Sequence, residues 1–146
     1  MNLLRFRYEP DDNFCGRLIV KCEANDYAGR GQSWFSSNDL RDFAKATMSY
    51  PLSVESPPSL GAGFYDEQGG LKEIHVGILL EPHDKRGLVR ATVRLATEVW
   101  RNEEQELSSS TVIRFLLTYA DLSTFGPAFI DLIDGKADEV VLLSSA

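Results

Sequence analysis

Several stretches of this chain alternate apolar and polar residues with a period of two. That pattern restricts them to strands half-buried on one face of a sheet. Leu4, Phe6 and Tyr8 alternate with Arg5 and Arg7, and Leu18, Val20, Cys22 and Ala24 alternate with Arg17, Lys21 and Glu23. Further on, Ile74, Val76, Ile78 and Leu80 define one strand face, and Val89, Ala91, Val93 and Leu95 define another against Arg90, Thr92 and Arg94. Apolar segments at 63–66, 71–80, 88–100 and 111–118 are parted by turn-forming runs at 66–70 and 81–87 and by an acidic run at 102–106. Strands joined by such short turns pair antiparallel as a meander. A last strand at 139–143 closes one sheet edge, and the glycine-rich run 29–33 reads as a loop.

Two helices are expected beside the strands. Ser36 followed by Asp39 fits a capping box, with Phe35 and Leu40 at the spacing of a hydrophobic staple. Leu40, Phe43, Ala44 and Met48 then recur at helical spacing, with Asp39, Arg41, Asp42 and Lys45 on the other face, until Pro51 forbids continuation. The second helix is expected from Ser123 or Thr124, with Pro127 in its first turn and Gly135 after its end. The fold class is therefore α+β: an antiparallel meander sheet of about six or seven strands with two helices packed on it, in one domain over 1–146.

The composition fits a chain that folds throughout: 43% of its 146 residues are apolar and 25% are charged. No window approaches the roughly 20 apolar residues of a membrane-spanning helix. The first eight residues carry Arg5 and Arg7 within their apolar run, unlike a signal peptide, so a cytoplasmic location is expected. Cys15 and Cys22 lack Cys-x-x-Cys spacing and read as free thiols. Residues 101–146 hold three basic and eight acidic side chains, the main source of a net charge of −7. Such a surface repels nucleic acid and attracts basic partners.

The groups that carry chemistry are few. His75 falls in a strand, facing solvent or capping a gap in the sheet, and His83 falls in a turn beside Asp84; neither has a second ligand at metal-binding spacing. No serine has the strand-turn-helix context of a nucleophile elbow, and Gly29-Arg30-Gly31 and Gly61-Ala62-Gly63 fall short of the phosphate-binding fingerprints. No catalytic residue, metal site or cofactor is assigned. Trp34, Tyr50, Phe64 and Tyr65 flank the loops around the first helix and read as core or as the lining of a small-molecule pocket between helix and sheet. Glu103, Glu104 and Glu106, with Asp131 and Asp134 on the second helix, are the candidate partner contacts.

The order of elements resembles that of small bacterial immunity proteins, including those that protect a cell from wall-associated, contact-dependent toxins. The residues that carry the resemblance are Trp34 before the helix, Leu40-x-x-Phe43-Ala44, Tyr50-Pro51-Leu52, Asp84-x-x-Gly87 and Leu122-x-x-Phe125. It implies a curved antiparallel sheet with one or two helices, and a domain that blocks a toxin by binding it, without catalysis. The expected function is thus a non-catalytic protein-binding domain whose partner is a basic protein such as a toxin domain. The alternative is a small-molecule module with its pocket beside the first helix. Homo-oligomerisation is left open.

Overall fold

The computed structural model describes residues 1–100 and 106–146. The strands are β1 (Leu3–Pro10), β2 (Cys15–Ala24), β3 (Tyr27–Ser36), β4 (Ser59–Tyr65), β5 (Leu71–Pro82), β6 (Leu88–Ala96), β7 (Ser110–Thr118) and β8 (Val140–Leu143). The helices are α1 (Ser37–Thr47) and α2 (Tyr119–Ile133). The α+β class, the antiparallel pairing and the two helices are as the sequence predicts. The strands, however, divide into two sheets of four, ordered β3-β2-β1-β8 and β4-β5-β6-β7.

The division is made by β3. Residues 29–33 are strand rather than loop, and Gly29 and Gly31 pair with Cys22 and Val20. They are glycines because β3 crosses the second sheet in close contact. A Cβ on Gly31 would strike the His75 carbonyl and Leu95, and one on Gly29 would strike Thr111. Asn25 and Asp26, both at positive φ, turn β2 into β3.

The inner faces of both sheets and the two helices share one core. Phe6 of β1 lies 5.2 Å edge-on from Phe129 of α2 and 5.3 Å from Phe125, and Phe43 of α1 lies 5.9 Å from Phe129. Each such ring pair contributes about 0.5–1.5 kcal/mol beyond its buried area. Gly126 lets the helices close up, since a Cβ there would meet Met48 and the Ala44 carbonyl.

Local chemistry sets the ends of the elements. Ser36 caps α1 by accepting from the Asp39 N–H at 3.1 Å. The second helix starts five residues before Thr124, at Tyr119, because Thr118 and Asp121 form a capping box. Pro127 accordingly sits inside α2 rather than in its first turn, on the exposed side. Gly135, at φ +79°, follows the helix end as expected. Strand β8 pairs with β1 and closes the first sheet.

A bulge in β5 alters one predicted face. Ala62 pairs with Val76 and Gly63 with Ile74, so His75 is the extra residue. Ile74 is thereby turned outward, at 37% exposure, and His75 inward, at 1%.

Candidate functional site

The concavity that combines a strand edge, a helix face and unneutralised charge lies between α1 and β4. Asp39, Asp42, Phe43 and Ala46 recur at the i, i+3, i+4, i+7 spacing that places them on one side of a helix. That side faces β4 across a cleft of about 410 Å³, within the usual range of ligand sites. Phe35, Phe43 and Leu60 give it apolar surface, Ser56, Pro57 and Pro58 close one end, and Ser59 to Gly61 form the opposite wall. The Asp39 and Asp42 side chains are exposed, and neither takes part in an ion pair among the described residues.

The β4 wall is a sheet edge. The Leu80 N–H donates to the Pro58 carbonyl at 3.0 Å, and the antiparallel register continues with Leu60 opposite Ile78 and Ala62 opposite Val76. Because backbone groups alternate sides along a strand, those of Ser59 and Gly61 point away from β5, into the cleft. No hydrogen bond engages them among the described residues.

The aromatic residues predicted to line a pocket are dispersed. Trp34 lies on the outer face of β3, half-exposed, with the Arg17 guanidinium 5.7 Å from its ring centre. Tyr50 packs edge-on against Tyr119 at 4.7 Å, and the Tyr119 hydroxyl accepts from the Leu52 N–H. Tyr65 is exposed at the end of β4, while Phe64 covers His75 at 4.4 Å. A cleft does lie between the first helix and the sheet, but Trp34, Tyr50 and Tyr65 do not line it.

The acidic candidates divide in the same way. Glu103 and Glu104 lie outside the described residues. Glu106 and Asp131 are exposed, but Asp134 is held by Arg41 of α1 at 2.7 Å. Glu139 is paired with Arg5 at 2.7 Å, and the Asp121 carboxylate binds the Thr118 N–H and Ser145. Part of the acidity of the last third therefore fastens the fold. The outer face of the first sheet is basic, for Arg5, Lys21 and Arg30 stand directly opposite one another on β1, β2 and β3.

Of the remaining groups with chemical potential, His75 and Asp12 are engaged locally. His75 Nε2 lies 3.0 Å from Glu73, and His83 is exposed in a turn ordered by the Asp84 carboxylate, which accepts from the Arg86 and Leu88 N–H groups. Cys15 and Cys22 are free thiols, and burial pushes the Cys22 thiol up to about 12. Asp11, Asp12 and Cys15 approach one another, but Asp12 already accepts from the Phe14 and Cys15 N–H groups as part of the β1–β2 turn.

Asp39 and Asp42 were visible in the sequence only as the polar face of the first helix. What turns that face into a wall is the proline-rich segment at 56–58 and the position of β4, neither of which has a short-range signal. Compared with known proteins, the chain matches no family model and no curated sequence.

Proposed function

We propose that this chain is a non-catalytic protein-binding domain that takes a basic partner into the α1–β4 cleft. The observation that carries this reading is the pair Asp39 and Asp42, exposed and without an ion pair among the described residues, standing over apolar floor and free strand backbone. A mixed lining of carboxylates, carbonyls and N–H groups suits a peptide surface better than a small apolar ligand. The resemblance to immunity proteins supports a toxin as the partner, since it implies a domain that acts by binding and blocking one.

The acidic contact lies on α1 rather than on the Asp131 and Asp134 face, where Asp134 is already neutralised by Arg41. Exposed charges of this kind accelerate association and are screened beyond about 8 Å at physiological ionic strength. Purified protein should capture a basic protein from the source cell, with an association rate that falls steeply as salt rises. Asp39→Lys with Asp42→Lys should abolish capture while lowering the melting temperature by only a few degrees, the cost of a cation in the first turn of α1, whereas Asp131→Lys should leave capture intact. Capture that survives the double reversal would remove the cleft from the reading. If the neighbouring gene encodes a secreted protein with a variable C-terminal toxin domain, that domain is the first partner to test.

A further inference from the structure

The geometry points to a specific mode of recognition: an extended basic segment of the partner adds to the second sheet as a further strand alongside β4, with one face turned toward the α1 cleft. This inference rests on the protein-binding reading of the cleft and names how the partner is held.

The second sheet has two edges, and the structure treats them differently. On β7 the Arg114 carbonyl accepts from Asn25 Nδ2 at 3.0 Å and the Leu116 carbonyl from Ser144 Oγ at 2.6 Å. The C-terminal tail that supplies Ser144 is itself anchored, Ser145 Oγ donating to Asp121 at 2.6 Å. Natural sheets generally blunt their free edges, because unpaired N–H and C=O groups invite another strand. On β4 the corresponding groups of Ser59 and Gly61 have no partner among the described residues, and the strand there carries no charge.

The cleft beside β4 supplies what an added strand requires besides backbone pairing. Main-chain bonds to an edge give affinity, and pockets for alternate side chains give specificity. Every second side chain of the incoming segment would face α1, where Phe35, Phe43 and Leu60 accept apolar groups and Asp39 and Asp42 accept Lys or Arg. The free edge of the first sheet is less suited to such a segment, because β3 presents Arg30 beside Lys21. A second copy of this chain is also less suited, because β4 brought to β4 would bring two acidic rims together.

A capped peptide of alternating valine and lysine is the probe, used with isotope-labelled full-length protein and followed by amide chemical shifts. The peptide should shift the Ser59 and Gly61 amides and leave the edge of β7 unmoved. Methylating the peptide nitrogens that face β4 should weaken binding about tenfold or more, since hydrogen bonds are removed with the charges kept. Ser59→Pro, which takes away one outward N–H at the first residue of the strand, should weaken binding with the melting temperature unchanged.

If the methylated peptide binds as well as its parent while Asp39→Lys with Asp42→Lys abolishes both, strand addition is wrong and the acidic cleft stands. If millimolar peptide shifts no amide of β4 or α1, both readings fail. Dimerisation that protects Ser59 and Gly61 without peptide would put a second copy on the edge and overturn the proposal.

Discussion

The edges β4 and β7 belong to one sheet, yet among the described residues only on β7 are outward carbonyls, those of Arg114 and Leu116, bonded by the rest of the chain. The donors are side chains from the β2–β3 turn and from the C-terminal tail, and α2 holds that tail through Asp121. The β4 edge runs past a helix that turns two unneutralised carboxylates toward it. An edge sealed by distant side chains is structural, and an edge left open next to charge and apolar floor is where a partner fits. Changes that unseal β7 should therefore cost stability, and changes to the outward side of β4 should cost binding.

The largest effect is expected from the ring cluster that seats α2. Phe129→Ala should destabilise the protein by about 3–5 kcal/mol, because Phe6, Phe43 and Phe125 would surround the resulting cavity. Denaturant unfolding checks this, and a loss under 1 kcal/mol would show that α2 does not hold the two sheets together. Asp121→Ala comes next, at about 1–2 kcal/mol, for it removes both the reciprocal cap of α2 and the anchor of the tail. The Thr118 and Ser145 amides, which donate to that carboxylate, should then exchange faster with solvent.

The Asp121 effect should also depend on pH. Burial raises its pKa, but bonds from Ser145 and Thr118 outweigh that and leave it below the ordinary carboxylate value. A carboxylate with a depressed folded pKa contributes stability above its unfolded pKa, and the contribution is lost as pH falls through the folded value. The stability gap between wild type and Asp121→Asn should therefore narrow on acidification and stay constant above neutrality. A gap that widens at low pH would contradict this role.

Ser144→Ala should cost about 1 kcal/mol by leaving the Leu116 carbonyl without its side-chain donor. The smallest effect is expected on β4, where Ser59→Ala should change stability by less than about 0.5 kcal/mol, since nothing in the fold depends on that side chain. Equal costs at the two positions would erase the distinction between the edges.

How far the sequence anticipates this structure varies with the range of the interactions. The alternation in 4–8, 18–24 and 89–95, the Ser36 cap and Gly135 all act within a few residues, and the structure follows them. The Thr118 to Asp121 cap is equally local, but Thr118 also ends a strand pattern, which hides its capping role in the sequence. The split into two sheets depends on Gly31 passing over His75, and the reversal of Ile74 depends on a bulge opposite Gly63; both are contacts between distant strands. The state of an edge is less legible still. Asn25 and Arg114 are 89 positions apart, and nothing near either marks the bond between them. The acidic bias of the last third was plain in the composition, but composition does not reveal that Asp134 and Glu139 are spent on Arg41 and Arg5.

The most direct test is native-state hydrogen exchange along β4, measured residue by residue with and without the captured basic partner. In the free protein the Ser59 and Gly61 amides should exchange near the rate of an unstructured chain, while Leu60 and Ala62 are protected by β5. With the partner bound, Ser59 and Gly61 should become protected as well. Protection of Ser59 and Gly61 in the free monomer, or no change in either on binding, would contradict an open edge that receives the partner.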